Sequence, residues 1–399
     1  MRDAPALRVA LLAGTLTRGG AEKQLVYMAR ALRDAGVTVQ VLSLTRGEYF
    51  EPVLCAAGLP PRWIGRHGAP PLRVLALAAA LRESRPHIVQ AAHFYTNLHV
   101  ALAARCVGAI AIGAIRNDTW HELEGNRRWG RALLRAPSAL IANSSAAKRN
   151  AEQVGVDAST IHVVPNVIDL AELPMPAPRD HSARDAAWYD RPSRERSSLP
   201  SGSRDSDDEI VVACIARLVP AKRLDRFLAA LALARREVRT LTGVIGGDGP
   251  ERLRLQTTAA SLGLLPAGVR FVGPVDASVL LQHADMLLMT SEHEGFPNII
   301  LEAMAAGRPV ITTPAGDAGV VVEHEVTGYV VPSDDISAMA ERMVRLARSP
   351  RLRCALGAAG RARVERCYSF DRLAHALLCT YRRIAERQAN HRVCDALAS

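Results

Sequence analysis

Short apolar runs alternate with amphipathic stretches along the first half of the chain, the pattern of a parallel sheet covered on both faces by helices. The run at 7–13 predicts a buried strand, and Gly19-Gly20 opens a helix reaching about residue 35. A strand at 37–44 follows, then a helix over 71–84, a strand at 87–92, a helix over 96–106 and strands at 109–115 and 138–143. Ser144 or Ser145 stands where the next helix needs an N-cap. Residues 174–208 break the pattern: Pro, Ser, Arg and Asp dominate and periodic apolar positions vanish, so this stretch reads as a linker or disordered insertion. The alternation restarts with strands at 210–216, 241–246, 269–272, 285–289 and 309–312, and helices over 224–235, 251–262 and 298–306. From about 336 to 388 the pattern is nearly all helical.

The expected fold is α/β, with two Rossmann-like domains facing across a cleft. An N-terminal domain at 1–173 and a C-terminal domain at 209–370 flank the 174–208 segment. Residues 371–399 form a helix and tail that pack back toward the N-terminal domain. A length of 399 residues suits two domains of ordinary size. Sheets of this kind bind ligands beyond the carboxyl ends of their strands, so the cleft is the expected site. With 49% apolar and 23% charged residues, full-length disorder is excluded. No run of about 18 uninterrupted apolar residues occurs, and the first residues lack the pattern of a secretory signal, so a cytoplasmic protein is expected. The seven cysteines are scattered and form no C-x-x-C, which fits reduced thiols packed as small hydrophobes.

Of the net charge of +10, +7 lies within residues 1–180, which carry 21 Lys+Arg against 14 Asp+Glu. Arg127, Arg128, Arg131 and Arg135 recur at near-helical spacing, followed by Lys148 and Arg149. A basic face of this kind attracts anionic lipid headgroups, unless it is simply a solvated face of an Arg-rich chain. Nucleic acid is disfavoured, because only 4% of residues are aromatic and no recognition motif is present.

The densest chemical signal is Met289 to Thr313, MTSEHEGFPNIILEAMAAGRPVITT. A strand ends near Met289, a polar loop carries Glu292 and Glu294, and Gly295-Phe296-Pro297 opens a helix whose first open amides are those of Asn298, Ile299 and Ile300. Open amides and the helix dipole favour an anion there, and a diphosphate is the obvious guest. Glu302 lies about two turns beyond Glu294, so the two carboxylates reach separate hydroxyl-bearing parts of one ligand. A metal is disfavoured, because no His or Asp completes a ligand set and His283, His293 and His324 show no paired spacing. Gly246-Gly247-Asp248-Gly249 fails the spacing of a dinucleotide fingerprint.

The string EHEGFPNIILEAMAAGRPVI resembles the signature of the retaining glycosyltransferases of family 4 (group 1), which adopt the two-domain GT-B fold. Gly19-Gly20-Ala21-Glu22 resembles the N-terminal loop of that family's GGAE subgroup, and Pro165 to Asp169 its PNGVD stretch. Ala216 to Asp225 resembles the GRL-x3-KG-x-D donor motif, Gly246 to Pro250 the GDGP loop, and Val269 to Gly273 the strand after it. The resemblance implies that Arg217 and Lys222 hold a donor diphosphate and stabilise it as it leaves. It implies that Glu302 takes ribose hydroxyls and Glu294 hydroxyls of the transferred sugar. The backbone at Gly295, Phe296, Pro297, Asn298 and Ile299, with Gly19, Gly20 and Gly247, approaches the phosphates. Arg217, Lys222, Glu294 and His93 form the implied catalytic set. His93, Tyr95, Asn97, Arg116 and Asp118 form the acceptor side, with His121 secondary. Arg116 stands where relatives often carry a histidine; it cannot act as a base but can bind phosphate.

The implied reaction moves a hexose-type sugar, with retention and without a metal or other cofactor, from a nucleotide-diphosphate sugar to a hydroxyl. UDP ranks first as the nucleotide and GDP second. The implied acceptor is a polyprenyl-linked surface polysaccharide or oligosaccharide, met through peripheral contact with an anionic membrane at the inner face of the cell membrane. Two rivals stay open: synthesis of a soluble glycoside or disaccharide, and a non-catalytic nucleotide-sugar-binding protein.

Overall fold

The computed structural model describes residues 7–66, 68–126, 129–173 and 209–388. The expected insertion at 174–208, the tail beyond 388, and Arg127 and Arg128 of the basic stretch therefore lie outside the described residues. The described residues form two units, one of 7–66, 68–126, 129–167 and 369–388, the other of 168–173 and 209–368.

The first unit holds a seven-stranded parallel sheet. Its strands are β1 (Arg8–Ala13), β2 (Thr38–Ser43), β3 (Arg62–Trp63), β4 (Ile88–Ala91), β5 (Ile110–Ile115), β6 (Ala139–Ala142) and β7 (Ile161–Val163), in the order β3-β2-β1-β4-β5-β6-β7. The central strands read as near-continuous apolar runs because helices cover both of their faces. The second unit holds a six-stranded parallel sheet in the order β10-β9-β8-β11-β12-β13. These strands are β8 (Ile210–Ile215), β9 (Leu241–Gly246), β10 (Val269–Gly273), β11 (Met286–Met289), β12 (Val310–Thr312) and β13 (Gly328–Val330).

The expected strands and long helices are present, with ends moved by one or two residues. The structure adds β3, β7 and β13, which at two or three residues are too short to show a periodicity. It also adds helices Thr119–Asn126, Gly130–Arg135 and Ala277–His283. The expected helical tail is broken into Ile336–Arg348, Pro350–Cys367 and Leu373–Arg387. Ser349 ends the first of these and caps the second, accepting from the Leu352 amide at 3.2 Å. Ser144 caps helix Ser145–Gln153 in the same way, at 3.0 Å from the Ala147 amide.

One boundary differs from expectation. Residues 168–173 pack with the second unit: the Ile168 amide donates to the Tyr368 carbonyl at 2.9 Å, and Leu173 is buried in that unit's core. Helix Leu373–Arg387 is part of the first unit. It buries Leu373, Leu377, Tyr381 and Ile384 against Leu25, Tyr27 and Met28 of helix Gly20–Asp34, and Phe370 meets Tyr27 edge-on at 5.8 Å. Burial of four such side chains is worth about 6–12 kcal/mol of transfer free energy before entropy is counted, so that helix is a constituent of this core.

Among the described residues the cysteines are free thiols. No described helix is long and apolar enough to cross a membrane.

Candidate active site

In the second unit the strand order reverses at β8, which lies between β9 and β11, and ligands of open parallel sheets bind at such a reversal. Three loops leave the carboxyl ends of these strands and are tied together. The Leu218 amide donates to the Asp248 carbonyl at 2.9 Å and the Glu251 amide to the Leu218 carbonyl at 3.0 Å. The Glu292 amide donates to the Ala221 carbonyl at 2.9 Å, and the Thr290 hydroxyl to the Lys222 carbonyl at 3.0 Å. Gly247 has φ +128°, and a Cβ there would stand 1.9 Å from the Ala216 carbonyl oxygen, so only glycine permits this crossing.

These ties bring together residues 72 apart in sequence. Lys222 Nζ lies 2.5 Å from Glu294 Oε1, which also accepts the Ser291 hydroxyl at 2.7 Å. The two side chains are 20% and 14% exposed. Arg217, at the end of β8, is exposed and has no ion pair with any described residue. The site therefore holds one bare cation and one already neutralised by an expected sugar-reading carboxylate. That pairing is not visible in the sequence, where the two residues belong to different motifs.

The loop after β12 backs this arrangement. Gly316 has φ +57°, and a Cβ there would fall 2.4 Å from the Glu294 carbonyl oxygen and 2.3 Å from that of Gly295. The Asp317 amide donates to the Gly295 carbonyl at 3.1 Å, and the Thr313 hydroxyl to that of Ser291 at 2.6 Å. Thr313, Gly316 and Asp317 are not among the residues that the motifs single out, although Pro-Ala-Gly-Asp after a strand is a turn signal.

Helix Asn298–Ala305 begins at the expected residue, with Pro297 as its N-cap. The Ile300 amide, expected to be open, donates to the Pro297 carbonyl at 3.1 Å. Phe296 is buried edge-on against Tyr368 at 5.6 Å, so its ring belongs to the core. Glu302 is half-buried, one turn into the helix.

The first unit repeats the topology, with the reversal at β1 between β2 and β4. Here Glu22, on the first turn of helix Gly20–Asp34, is a hub, whereas its place in the sequence shows only a motif position. Its Oε1 accepts the Thr15 hydroxyl at 2.7 Å and the Thr17 hydroxyl at 3.2 Å, and lies 3.3 Å from His93 Nε2. Burial works to raise the Glu22 carboxyl, but the bonds from His93 and Thr15 outweigh it and hold the group below its ordinary range. The other His93 nitrogen, Nδ1, accepts the Gly14 amide at 3.1 Å. That bond fixes the tautomer with its proton on Nε2, toward Glu22. Nδ1 thus ties the loop to the strand, while the buried Nε2 faces the Glu22 carboxylate without a hydrogen bond of good geometry. Tyr95 stacks on it at 5.4 Å and stays partly exposed. Gly19 is extended, and a Cβ there would stand 2.2 Å from Glu22 Oε2.

Two residues expected on the acceptor side make structural hydrogen bonds. Asn97 is fully buried, and its amide bridges to β5, donating to the Ala114 carbonyl at 3.1 Å and accepting the Ala114 amide at 2.8 Å. Asp118 starts helix Thr119–Asn126, accepting the Trp120 amide at 2.9 Å and the Asn150 side chain at 3.0 Å. His121 is exposed, and Arg116 is half-buried at the end of β5. Of the basic stretch, Arg131 and Arg135 are exposed, whereas Lys148 donates to the Ile161 carbonyl at 3.0 Å. Among the described residues no three His, Cys, Asp or Glu side chains stand together as a metal requires.

Residues 18–172 match the family described as Glycosyltransferase Family 4, and residues 209–349 match Glycosyl transferases group 1. The chain belongs to the group 1 glycosyltransferases, family 4. This glycosyltransferase-family chain is 34% identical over 187 residues to a D-inositol 3-phosphate glycosyltransferase of Saccharomonospora viridis, a match covering 44% of this chain and 43% of that one. It is 35% identical over 176 residues to a GDP-mannose-dependent alpha-(1-6)-phosphatidylinositol monomannoside mannosyltransferase of Mycobacterium tuberculosis, covering 42% and 46%. The match thus spans about half the length of these two curated relatives. Among solved structures, Anabaena HepE in complex with UDP and glucose superposes with a TM-score of 0.77 at 22% identity, over 94% of this chain and 99% of that one. That likeness supports the GT-B fold.

Proposed function

We propose that this chain is a retaining, metal-independent glycosyltransferase that moves a hexose-type sugar from a nucleotide-diphosphate sugar to an acceptor hydroxyl. The donor-side residues are Arg217, Lys222, Glu294, Glu302 and the backbone at Gly247 and Gly295 to Ile299, all in the second unit. The observation that carries the reading is the unpaired Arg217 at the strand-order reversal, in the same loop as Lys222 with its Glu294 partner. A diphosphate supplies the counter-charge that Arg217 lacks and competes with Glu294 for Lys222. Displaced from Lys222, the Glu294 carboxylate is left to accept hydroxyls of the sugar. As the glycosidic bond breaks, charge grows on the departing phosphate, and the guanidinium fork and ammonium stabilise it most where it is greatest. Same-face attack then hands the acceptor's proton to that phosphate, so no protein base is required.

UDP is the first choice of nucleotide and GDP the second. The HepE complex contains UDP and glucose, and the mycobacterial relative is named for GDP-mannose. The acceptor we favour is a polyprenyl-linked oligosaccharide of a surface polysaccharide, met by a cytoplasmic protein at the inner membrane face. The basic surplus of residues 1–180 supports this. A thermal-shift comparison of UDP, GDP and ADP, each with and without its sugar, tests the reading, because a ligand that binds the native state raises its unfolding temperature. One nucleotide should raise the transition strongly in the native protein and weakly in Arg217→Ala. No response to any nucleotide would refute the reading.

A further inference from the structure

Arg116 leaves β5 at its carboxyl end, between the ends of β4 and β6. Its surroundings are unusual for a guanidinium. The Nε is buried without a hydrogen-bond partner, and Nη2 reaches only the Met28 thioether, at 3.4 Å. Sulfur is a weak acceptor and does nothing to balance a full positive charge. No described carboxylate pairs with Arg116. The titratable group that acts on it is Tyr381, whose hydroxyl donates to Gln90 Oε1 at 2.5 Å and is held neutral by burial, so it is no counter-ion either. Burial pushes the Arg116 guanidinium down to about 10, still fully protonated at neutral pH. Half-buried Arg223 pairs with Asp225 and Glu292, and Arg270 with Glu209, while Arg235 and Arg353, which lack a carboxylate, donate to backbone carbonyls; the Arg116 side chain has neither among the described residues.

A cation withdrawn from water with no opposite charge lowers stability unless a ligand supplies that charge. Beside it, Asn143 at the end of β6 donates to the Arg116 carbonyl at 2.9 Å and leaves its own buried Oδ1 unpartnered. An acceptor oxygen with no donor suits a hydroxyl. The arrangement holds half of a recognition pair on each side: a guanidinium fork for an oxyanion and an amide oxygen for a hydroxyl.

We propose that Arg116 is the receptor for an anionic group, a phosphate or diphosphate, carried by the acceptor, with Asn143 taking a neighbouring hydroxyl. This rests on the proposed reading that the first unit serves the acceptor. It narrows the acceptor from any hydroxyl compound to a phosphorylated one.

The test is thermal unfolding of the full chain saturated with UDP, so that the donor cations are occupied, titrated with inorganic phosphate or inorganic pyrophosphate. Liposomes carrying a polyprenyl diphosphate form a third arm, read by co-sedimentation. Arg116→Met removes the charge at similar volume, and Arg116→Lys keeps it. The native protein should gain unfolding temperature with phosphate beyond the general salting effect seen in Arg116→Met. Affinity in that variant should fall about tenfold or more, the size expected for loss of a charge-assisted bond. Arg116→Lys should retain part of the response. Without phosphate, Arg116→Met should unfold at the same temperature as the native protein or higher, because an unbalanced buried charge has gone. A response to both soluble anions but not to liposomes assigns the group to a soluble phosphorylated acceptor, and co-sedimentation that Arg116→Met abolishes assigns it to a lipid. The proposal is overturned if Arg116→Met loses several degrees while keeping the phosphate response, which would mark Arg116 as structural. It is equally overturned if Arg116→Met weakens UDP itself, which would place the charge on the donor. If no nucleotide shifts the native protein, the donor reading fails, yet the phosphate comparison of the variants still reports on Arg116.

Discussion

The pair Lys222–Glu294 offers the sharpest test of the donor-side geometry. At 2.5 Å and an effective dielectric of about 20, the gross attraction is about 6–7 kcal/mol. Desolvation cancels much of it, because the two side chains keep only 20% and 14% of their exposure. Breaking a fully buried pair by removing one partner costs about 3–5 kcal/mol, and the residual exposure brings the expectation here to about 2–3 kcal/mol. Lys222→Met should therefore lower the unfolding temperature of the ligand-free protein clearly. Glu294→Gln should lower it less, since the Ser291 hydroxyl still finds an amide oxygen. The double variant should recover about 1–2 kcal/mol relative to the sum of the single changes. Nucleotide affinity adds an independent readout. Lys222→Met should lose about tenfold or more, whereas Glu294→Gln should bind the bare nucleoside diphosphate as tightly as the native protein or more tightly, because Lys222 no longer has a competitor. Additive stability effects, together with weaker nucleoside diphosphate binding in Glu294→Gln, would refute the argument that the carboxylate and the phosphate share one lysine.

Other expectations follow from single contacts. Gly316→Ala combines a left-handed backbone with a Cβ that would overlap the Glu294 and Gly295 carbonyls, and should cost about 2–4 kcal/mol in thermal unfolding while weakening donor turnover. Tyr381→Phe leaves the buried Gln90 oxygen without its 2.5 Å partner and should cost about 1–3 kcal/mol, read by urea unfolding of the first unit. Burial raises the Glu122 carboxyl to about 7. From about pH 4.5 to pH 7 the unfolded chain has released this proton and the folded chain has not, so stability falls as pH rises through that window. Glu122→Gln should flatten this slope in a series of unfolding temperatures. Asn97→Ala should lower unfolding temperature without changing nucleotide affinity, and a selective loss of donor binding would contradict its role as a bridge to β5.

The two sheets were legible because central parallel strands must be apolar throughout, and runs such as 7–13 and 210–216 suit little besides a strand buried on both faces. Edge strands carry no such constraint, which hides β3, β7 and β13. At the site, motif spacing located the loops but could not show how they close on each other. Lys222 and Glu294, or Glu22 and His93, meet only because successive parallel strands deliver distant loops to one end of a sheet. For the same reason Asn97 looked like a lining residue: its place after β4 is readable, whereas the turn of its amide back into β5 depends on the backbone of another strand.

The division of the chain has a consequence for biosynthesis. Residues 168–368 are contiguous and can acquire their core as soon as they leave the ribosome. The unit that begins at the amino end cannot, because Leu373, Leu377, Tyr381 and Ile384 are the cover over Tyr27 and Met28. The portion made first is thus finished last, and its apolar helix face, made by residue 34, waits through more than three hundred residues of synthesis for its lid. Chaperone dependence should concentrate there, and nascent chains arrested before residue 373 should expose that face to proteases even when the younger unit is already resistant.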